Sequence, residues 1–245
     1  MSRLSRQSAK RQIFDRSGAV PLPRWRDRIR ETGSALANIA GLSARLPVPA
    51  DLPRGDGHPV LVIPGLLSSD FLIRGFRDVL TAVGYEVEGW GAGINFGPTP
   101  ACWRIAERRL AAMADRSGQQ ASLVGHSLGG VMARALAHEH PELVRRVITV
   151  CSPFRLPTAM RLEPLYRLLS HARIQPDILL SRIIEPPPVP TAAIYSPRDG
   201  IVAWQSCIDA PAPRRQNIAV DGAHSTMMSN PATMRVIAEL LAVSS

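Results

Sequence analysis

Cysteine, lysine and long apolar runs are scarce in this chain of 245 residues, and each scarcity removes a class of protein. Cys102, Cys151 and Cys207 are odd in number and widely spaced, so the sequence carries no disulfide framework and no cysteine metal motif. A reducing cytoplasm is the expected setting. No apolar stretch approaches the ~18 residues that cross a bilayer. The first residues, MSRLSRQSAKRQIF, are basic but lack the apolar middle of a secretory signal. Lys10 is the only lysine among 29 basic residues, so the net charge of +9 is almost wholly arginine. A bias in base composition accounts for that, and charge alone speaks only to solubility and loose association. No nucleic-acid partner is expected.

What is present divides into a basic leader and a regular body. Residues 1–57 hold 11 basic and five acidic side chains, which is +6 of the +9. Within them, Trp25, Ile29, Leu36, Ile39 and Leu42 are spaced for a helix over 25–46, with one face against the body and one in solvent. Trp25 stands among Arg24, Arg26, Arg28 and Arg30, which makes this segment a candidate for peripheral membrane contact. Residues 47–59 hold four prolines and two glycines and read as a linker. The expected organisation is an N-terminal basic extension over 1–57 and one domain over 58–245.

From residue 59 a strand–helix rhythm begins. Strands are expected over 59–63 (PVLVI), 85–90, 121–125, 146–150 (RVITV), 191–195 and 217–220. Helices are expected over 71–83, 103–114, 128–140 and 231–241. Short β-branched runs alternating with helices indicate an α/β fold: a mostly parallel sheet with helices on both faces. The rhythm breaks between 150 and 191. A small helical lid insertion is expected there, about 153–188, with helical candidates at 162–172 and 176–184. A proline run, Pro186, Pro187, Pro188 and Pro190, returns the chain to the sheet.

The chemistry centres on SLVGHSLGG, residues 122–130. Gly125-His126-Ser127-Leu128-Gly129 fits G-x-S-x-G between a strand and a helix, the arrangement of a nucleophile elbow. Ser127 sits at the tip of a strained turn. Gly125 and Gly129 avoid collisions across it, and Gly130 lets the helix approach the sheet. The helix N-terminus adds free N–H groups and a positive dipole end beside the serine. A serine so placed needs a base, and the base needs a carboxylate. After such an elbow the chain order is serine, carboxylate, histidine. Asp199 in SPRDGIVAW follows one expected strand, and His224 in VDGAHSTM follows the last. Both lie at the carboxyl ends of strands, where an open α/β sheet binds ligands.

Other residues compete for these roles. Asp221 shares a short loop with His224 and reads as a turn residue. Asp209 lies past a strand end and Asp177 in the lid region. His138, His140 and His171 sit on or near helices, His58 precedes the first strand, and His126 packs or bonds beside the elbow. For the oxyanion hole, one donor is the N–H of Leu128, and the loop IPGLLSSD offers the N–H of Leu66, with Gly65 allowing close approach. Ser68, Ser69 and Asp70 are alternatives for lining the site, although Asp70 also suits a helix N-cap.

The segments PVLVIPGLLSSD, VGHSLGG, AAIYSPRDGIVAW and DGAHSTMMSNP together resemble the α/β-hydrolase superfamily, and in particular its bacterial lipase- and esterase-like members. GWGAGINFGPTP resembles a loop of poorly characterised bacterial relatives. Pro64 stands where many relatives carry histidine before the oxyanion glycine, which removes one hydrogen bond supporting that loop. No HGGG-type signature is present. The resemblance implies a serine hydrolase of carboxylic esters, acyl or lipid esters above all, acting through an acyl-enzyme without metal or cofactor. Ser127 would attack, His224 serve as base and Asp199 orient it. An acyltransferase or thioesterase would use the same triad, and a non-catalytic binding module is the reading from another class.

Overall fold

The computed structural model describes residues 22–40, 46–155 and 185–243. The two helical candidates of the lid insertion therefore lie outside the described residues, as does most of the leader before the first helix. In chain order the elements are α1 (Trp25–Ala40), β1 (Pro59–Ile63), α2 (Arg74–Ala82), β2 (Glu86–Gly89), α3 (Pro100–Ser117), β3 (Ala121–His126), α4 (Leu128–Glu139), β4 (Val144–Val150), β5 (Thr191–Tyr195), β6 (Arg215–Ala219) and α5 (Pro231–Ala242). The six strands form one sheet in the order β2-β1-β3-β4-β5-β6. Every neighbouring pair is parallel.

Alternation along the strands builds two cores. Val60, Val62, Val124, Ile148 and Ile194 point to one face, where they meet Phe76, Val79 and Leu80 of α2 and Met234, Ile237 and Leu241 of α5. Leu61, Ile63, Leu123 and Val147 point to the other, against Leu110 and Met113 of α3 and Met132 and Leu136 of α4. Each such side chain fully removed from water contributes about 1.5–3 kcal/mol, so a strand buried on both faces needs an unbroken apolar run.

The helix limits have local causes. The Thr99 hydroxyl accepts from the Cys102 N–H at the start of α3, Pro100 occupies its first turn, and Gly118 closes it at φ 65°. The Asn230 side chain accepts from the Ala232 N–H at the start of α5. Some expectations shift. The helix after β1 begins at Arg74 rather than 71, because the Asp70 carboxylate does not cap it. Asp70 instead accepts from the Trp90 N–H (3.1 Å) and the Gly91 N–H (2.9 Å), tying its loop to the one after β2. Helix α1 does lie against the body, but Trp25 and Ile29 are 63% and 65% exposed, while Glu31 is only 6% exposed. Over residues 25–34 the face turned inward is the polar one.

Register decides where loops emerge. Ile63 pairs with Gly125, His126 with Val150, Val150 with Ile194 and Tyr195 with Ala219. The carboxyl ends of five strands therefore align. Pro64-Gly65, Ser127, Cys151, Ser196 to Asp199 and Val220 to His224 all leave the sheet at one rim.

Candidate active site

Ser127 stands between β3 and α4 with φ 51° and ψ −120°. A positive φ is costly for a residue with a Cβ, so surrounding structure must impose it. Its own N–H continues the sheet ladder to the Val150 carbonyl at 2.8 Å. The glycines permit the turn. A Cβ on Gly125 would overlap the backbone of Gly129 and Gly130, as expected of a collision across the turn. A Cβ on Gly129 would instead strike the Ile63 and Pro64 carbonyls, so that glycine serves the contact with β1. A Cβ on Gly130 would meet the Ser152 side chain.

Asp199 and His224 come together. The Asp199 Oδ2 lies 2.6 Å from His224 Nδ1, and both side chains are buried. Asp199 Oδ1 accepts from the N–H groups of Ile201 and Val202, each at 2.8 Å. Burial alone would raise this carboxyl, but the His224 ring and the two amides outweigh it and hold the group below the usual carboxylate range. Burial likewise works against a charged His224, yet Asp199's charge and hydrogen bond raise its pKa, with a smaller push from Glu31. The pair is thus built to stabilise an imidazolium.

His126 links this pair to the elbow. Its ring centroid is 4.8 Å from that of His224. Its Nε2 lies 3.1 Å from the His224 carbonyl oxygen, which requires Nε2 to carry the proton. Burial, then the charge of His224, pushes the pKa of His126 down to about 3, so it stays neutral and donates. This matches the expectation that it bonds beside the elbow.

The loop after β1 faces the serine. A Cβ on Gly65 would lie 3.2 Å from the Ser127 Cβ and 3.0 Å from His126 Nδ1. In that loop the Leu67 N–H donates to the Asn95 carbonyl (2.7 Å) and the Ser68 N–H to the Gly65 carbonyl (3.0 Å). The N–H of Leu66 remains the loop's candidate donor. Leu128 is the first residue of α4, where an N–H has no intrahelical acceptor. Asn95, fully buried, braces this loop: its Nδ2 donates to the Pro64 carbonyl at 2.7 Å, and its N–H donates to the Ser68 carbonyl at 2.8 Å.

The competitors fall away by position. Asp221 is exposed and pairs with Arg198 at 2.9 Å. Asp209 is buried against the Arg134 guanidinium at 2.9 Å. Asp177 and His171 lie outside the described residues. His138 and His140 are at the end of α4, away from the rim, with His138 Nε2 on the Glu185 carbonyl. His58 holds a surprise. Its Nε2 lies 2.8 Å from Ser122 Oγ, and its Nδ1 meets Asp56 in a short contact. This is a hydrogen-bonded serine–histidine–aspartate chain at the amino ends of β1 and β3, and both Ser122 and His58 are fully buried. No substrate carbonyl could reach it.

A third group touches the pair. Cys151 Sγ, a carboxylate oxygen of Asp199 and a ring nitrogen of His224 lie within 4.8 Å of one another. Burial, then the Asp199 charge, keeps the Cys151 thiol protonated. A zinc site would require the thiolate, so these three residues do not fit a metal centre as they stand. Sequence reasoning also missed Glu31 and Asn95. The signals were faint: one of two acids in an arginine run, and an asparagine inside a glycine-rich loop.

The family model described as the α/β-hydrolase fold matches residues 93–174. No curated protein matches the sequence. Among solved structures, the chain is similar to a monoacylglycerol lipase from Paleococcus ferrophilus at TM-score 0.54 and 13% identity, over 78% of this chain and 96% of that one. It is similar to a metagenome-derived lipolytic enzyme from the work on LipS and LipT at TM-score 0.56 and 15% identity, over 77% and 93% of the two chains. A thioesterase domain from the curacin biosynthetic pathway aligns at TM-score 0.51 and 16% identity, over 78% and 93%. Identities this low establish the fold and leave the reaction to be argued from the side chains.

Proposed function

Because this chain has the α/β-hydrolase fold, we propose that it is a serine hydrolase of carboxylic esters, with acyl or lipid esters as its substrates. Ser127 attacks the ester carbonyl and His224 Nε2 takes its proton. Asp199 holds the Nδ1–H tautomer and stabilises the imidazolium. The N–H groups of Leu66 and Leu128 receive the oxyanion, each contributing about 3 kcal/mol in the transition state. His224 returns the proton to the leaving alcohol, then activates the water that releases the acid.

The observation that carries this reading is the 2.6 Å contact between Asp199 and His224, at the rim where a strained Ser127 leaves β3. Apolar side chains supply the substrate argument. Leu67, Phe71, Leu72, Ile94 and Phe96 are exposed on the two loops joined through Asn95, beside the oxyanion loop. A panel of nitrophenyl esters of rising acyl length tests the proposal. Turnover should rise with chain length and vanish in Ser127→Ala, and a fluorophosphonate should label Ser127. A folded protein inert to every ester and to the probe would end the proposal. The thioesterase among the structural neighbours keeps acyl-thioester cleavage as the second reading, and a CoA thioester assay separates the two.

Membrane contact is a separate proposal. Leu22, Trp25 and Ile29 are exposed beside Arg24 and Arg26. An apolar stripe flanked by arginine suits an anionic lipid surface. Co-sedimentation with phosphatidylglycerol vesicles should fall in a Trp25→Ala, Ile29→Ser double variant, and unchanged binding would reject the contact.

A further inference from the structure

The two loops that carry Asp199 and His224 end different strands, β5 and β6, and something must hold them in fixed relation. From inside the domain, the Ser196 hydroxyl donates to the Gly222 carbonyl at 2.7 Å. From outside, the work falls to α1. Glu31 Oε1 accepts from the Gly200 N–H at 3.2 Å and, in a short hydrogen bond, from the N–H of His224 itself. Glu31 Oε2 accepts from the Ser225 N–H at 3.1 Å and the Ser225 hydroxyl at 2.9 Å. One buried carboxylate thus receives four donors, from the residue after the acid, from the base and from the residue after the base.

The neighbouring residue does the complementary task. Arg30 Nη2 donates to the Arg198 carbonyl at 2.9 Å and the Gly222 carbonyl at 3.0 Å. Each loop therefore offers a carbonyl to Arg30 and an N–H to Glu31. The close fit is built into the sequence: a Cβ on Gly200 would strike the Asp27 backbone and the Glu31 side chain. A helix that merely covered apolar surface would turn its apolar side inward. Here Trp25 and Ile29 face outward and the carboxylate goes in.

We propose that Glu31 is a positioning residue of the catalytic site, through which α1 clamps the Asp199 and His224 loops into reactive register. The inference rests on the assignment of Asp199 and His224 as acid and base above. Charge-assisted hydrogen bonds are the stronger ones, and a carboxylate can accept from all four donors at once. An amide cannot, because its NH2 would oppose the Ser225 donors.

The groups facing His224 are Asp199 and Cys151 from the loops after β5 and β4, His126 from the end of β3, and Glu31 and Arg30 from α1. Among them Asp199 and Glu31 favour the imidazolium. Loss of the Glu31 charge should therefore lower the pKa of His224. As the base must be neutral, the acid limb of kcat/KM moves to lower pH.

The test uses the full chain with Glu31→Gln, with active sites counted by fluorophosphonate. We expect kcat per active site to fall about 10- to 100-fold, as for a displaced catalytic group, with KM little changed and the acid limb shifted down. The His224 imidazole titration, read by NMR, should shift with it. A folded Glu31→Gln protein with unaltered kcat and an unaltered imidazole titration would overturn the proposal. Amide exchange in the wild-type chain needs no variant to fold: Gly200, His224 and Ser225 should be protected together, and exchange at unprotected rates would also overturn it. If the wild-type chain cleaves no ester, the hydrolase reading fails separately, while amide exchange and the imidazole titration still decide the clamp.

Discussion

Replacing Asp199 by asparagine isolates the electronic role of the carboxylate. The side chains are nearly equal in volume, and the asparagine oxygen can still accept from the Ile201 and Val202 N–H groups as Oδ1 does now. The change falls on the other atom. An NH2 at the Oδ2 position would donate toward His224 Nδ1, 2.6 Å away in the native structure. The imidazole must then carry its proton on Nε2, the atom that should accept from Ser127. This wrong tautomer costs about 10⁴-fold in kcat, or roughly 5 kcal/mol of barrier. The sign of the pH effect is also fixed. Burial opposes a charged His224, and Asp199 is the main group raising its pKa. Without that charge, the His224 pKa falls and the acid limb of any residual activity moves to lower pH. Steady-state hydrolysis of a soluble nitrophenyl ester across pH, per fluorophosphonate-reactive site, measures both quantities. A folded Asp199→Asn enzyme retaining a tenth of wild-type kcat, or an acid limb that stays in place, would refute the assignment of Asp199 as the orienting carboxylate.

Three further outcomes are expected. Ser122→Ala should leave kcat per active site within about twofold while lowering stability by roughly 1–3 kcal/mol in urea, since it strands buried His58; loss of activity at full stability would make the amino-end chain functional. Asn95→Ala should lower kcat by about 10²-fold with KM nearly constant, because the oxyanion loop loses its support at the Pro64 carbonyl; equal loss in kcat and gain in KM would argue for a substrate-binding role. For His126, the folded pKa near 3 lies below an unfolded value of 6.5, so the unfolded chain takes up the proton first. Stability is then lost as pH falls from about 6.5 toward about 3, by as much as about 5 kcal/mol. Thermal melts of His126→Gln should be flatter across that window, and a melt profile identical to wild type would sink the reasoning.

The sheet was legible because its signal is local. PVLVI and TAAIY each bury both faces, and the expected limits of β1 and β5 match the observed ones. The elbow was legible because its geometry needs glycine at fixed spacings from Ser127. That Asp199 and His224 meet was expected from chain order and strand ends. Legibility failed where a residue's purpose comes from a distant segment. Glu31 is 193 residues from the N–H of His224 that it receives, and nothing near it in the sequence announces that partner. The spacing of Trp25 and Ile29 left open which side of α1 turns inward, and Glu31 is the buried residue among them. Asp70 read as a helix cap because local competition favours that role, yet its partners lie 20 and 21 residues onward.

The serine–histidine–aspartate chain at the amino ends of β1 and β3 shows why hydrogen bonding alone does not define a site. Asp56, His58 and Ser122 are linked as well as any triad, and their histidine–serine distance of 2.8 Å is that of a good hydrogen bond. Ser122, however, lies within β3, in ordinary strand backbone with a sealed side chain. Burial, the largest influence on His58, lowers its pKa despite Asp56, so its ring is less ready to charge than that of His224. Ser127, five residues further on, has left the strand, carries a positive φ, precedes α4 and opens onto the rim. The same three residue types become a hydrogen-bonded plug at one end of β3 and a candidate nucleophile with its base at the other. What separates them is access, backbone strain and the N-terminus of α4, all of which follow from the sharp turn that Gly125 allows.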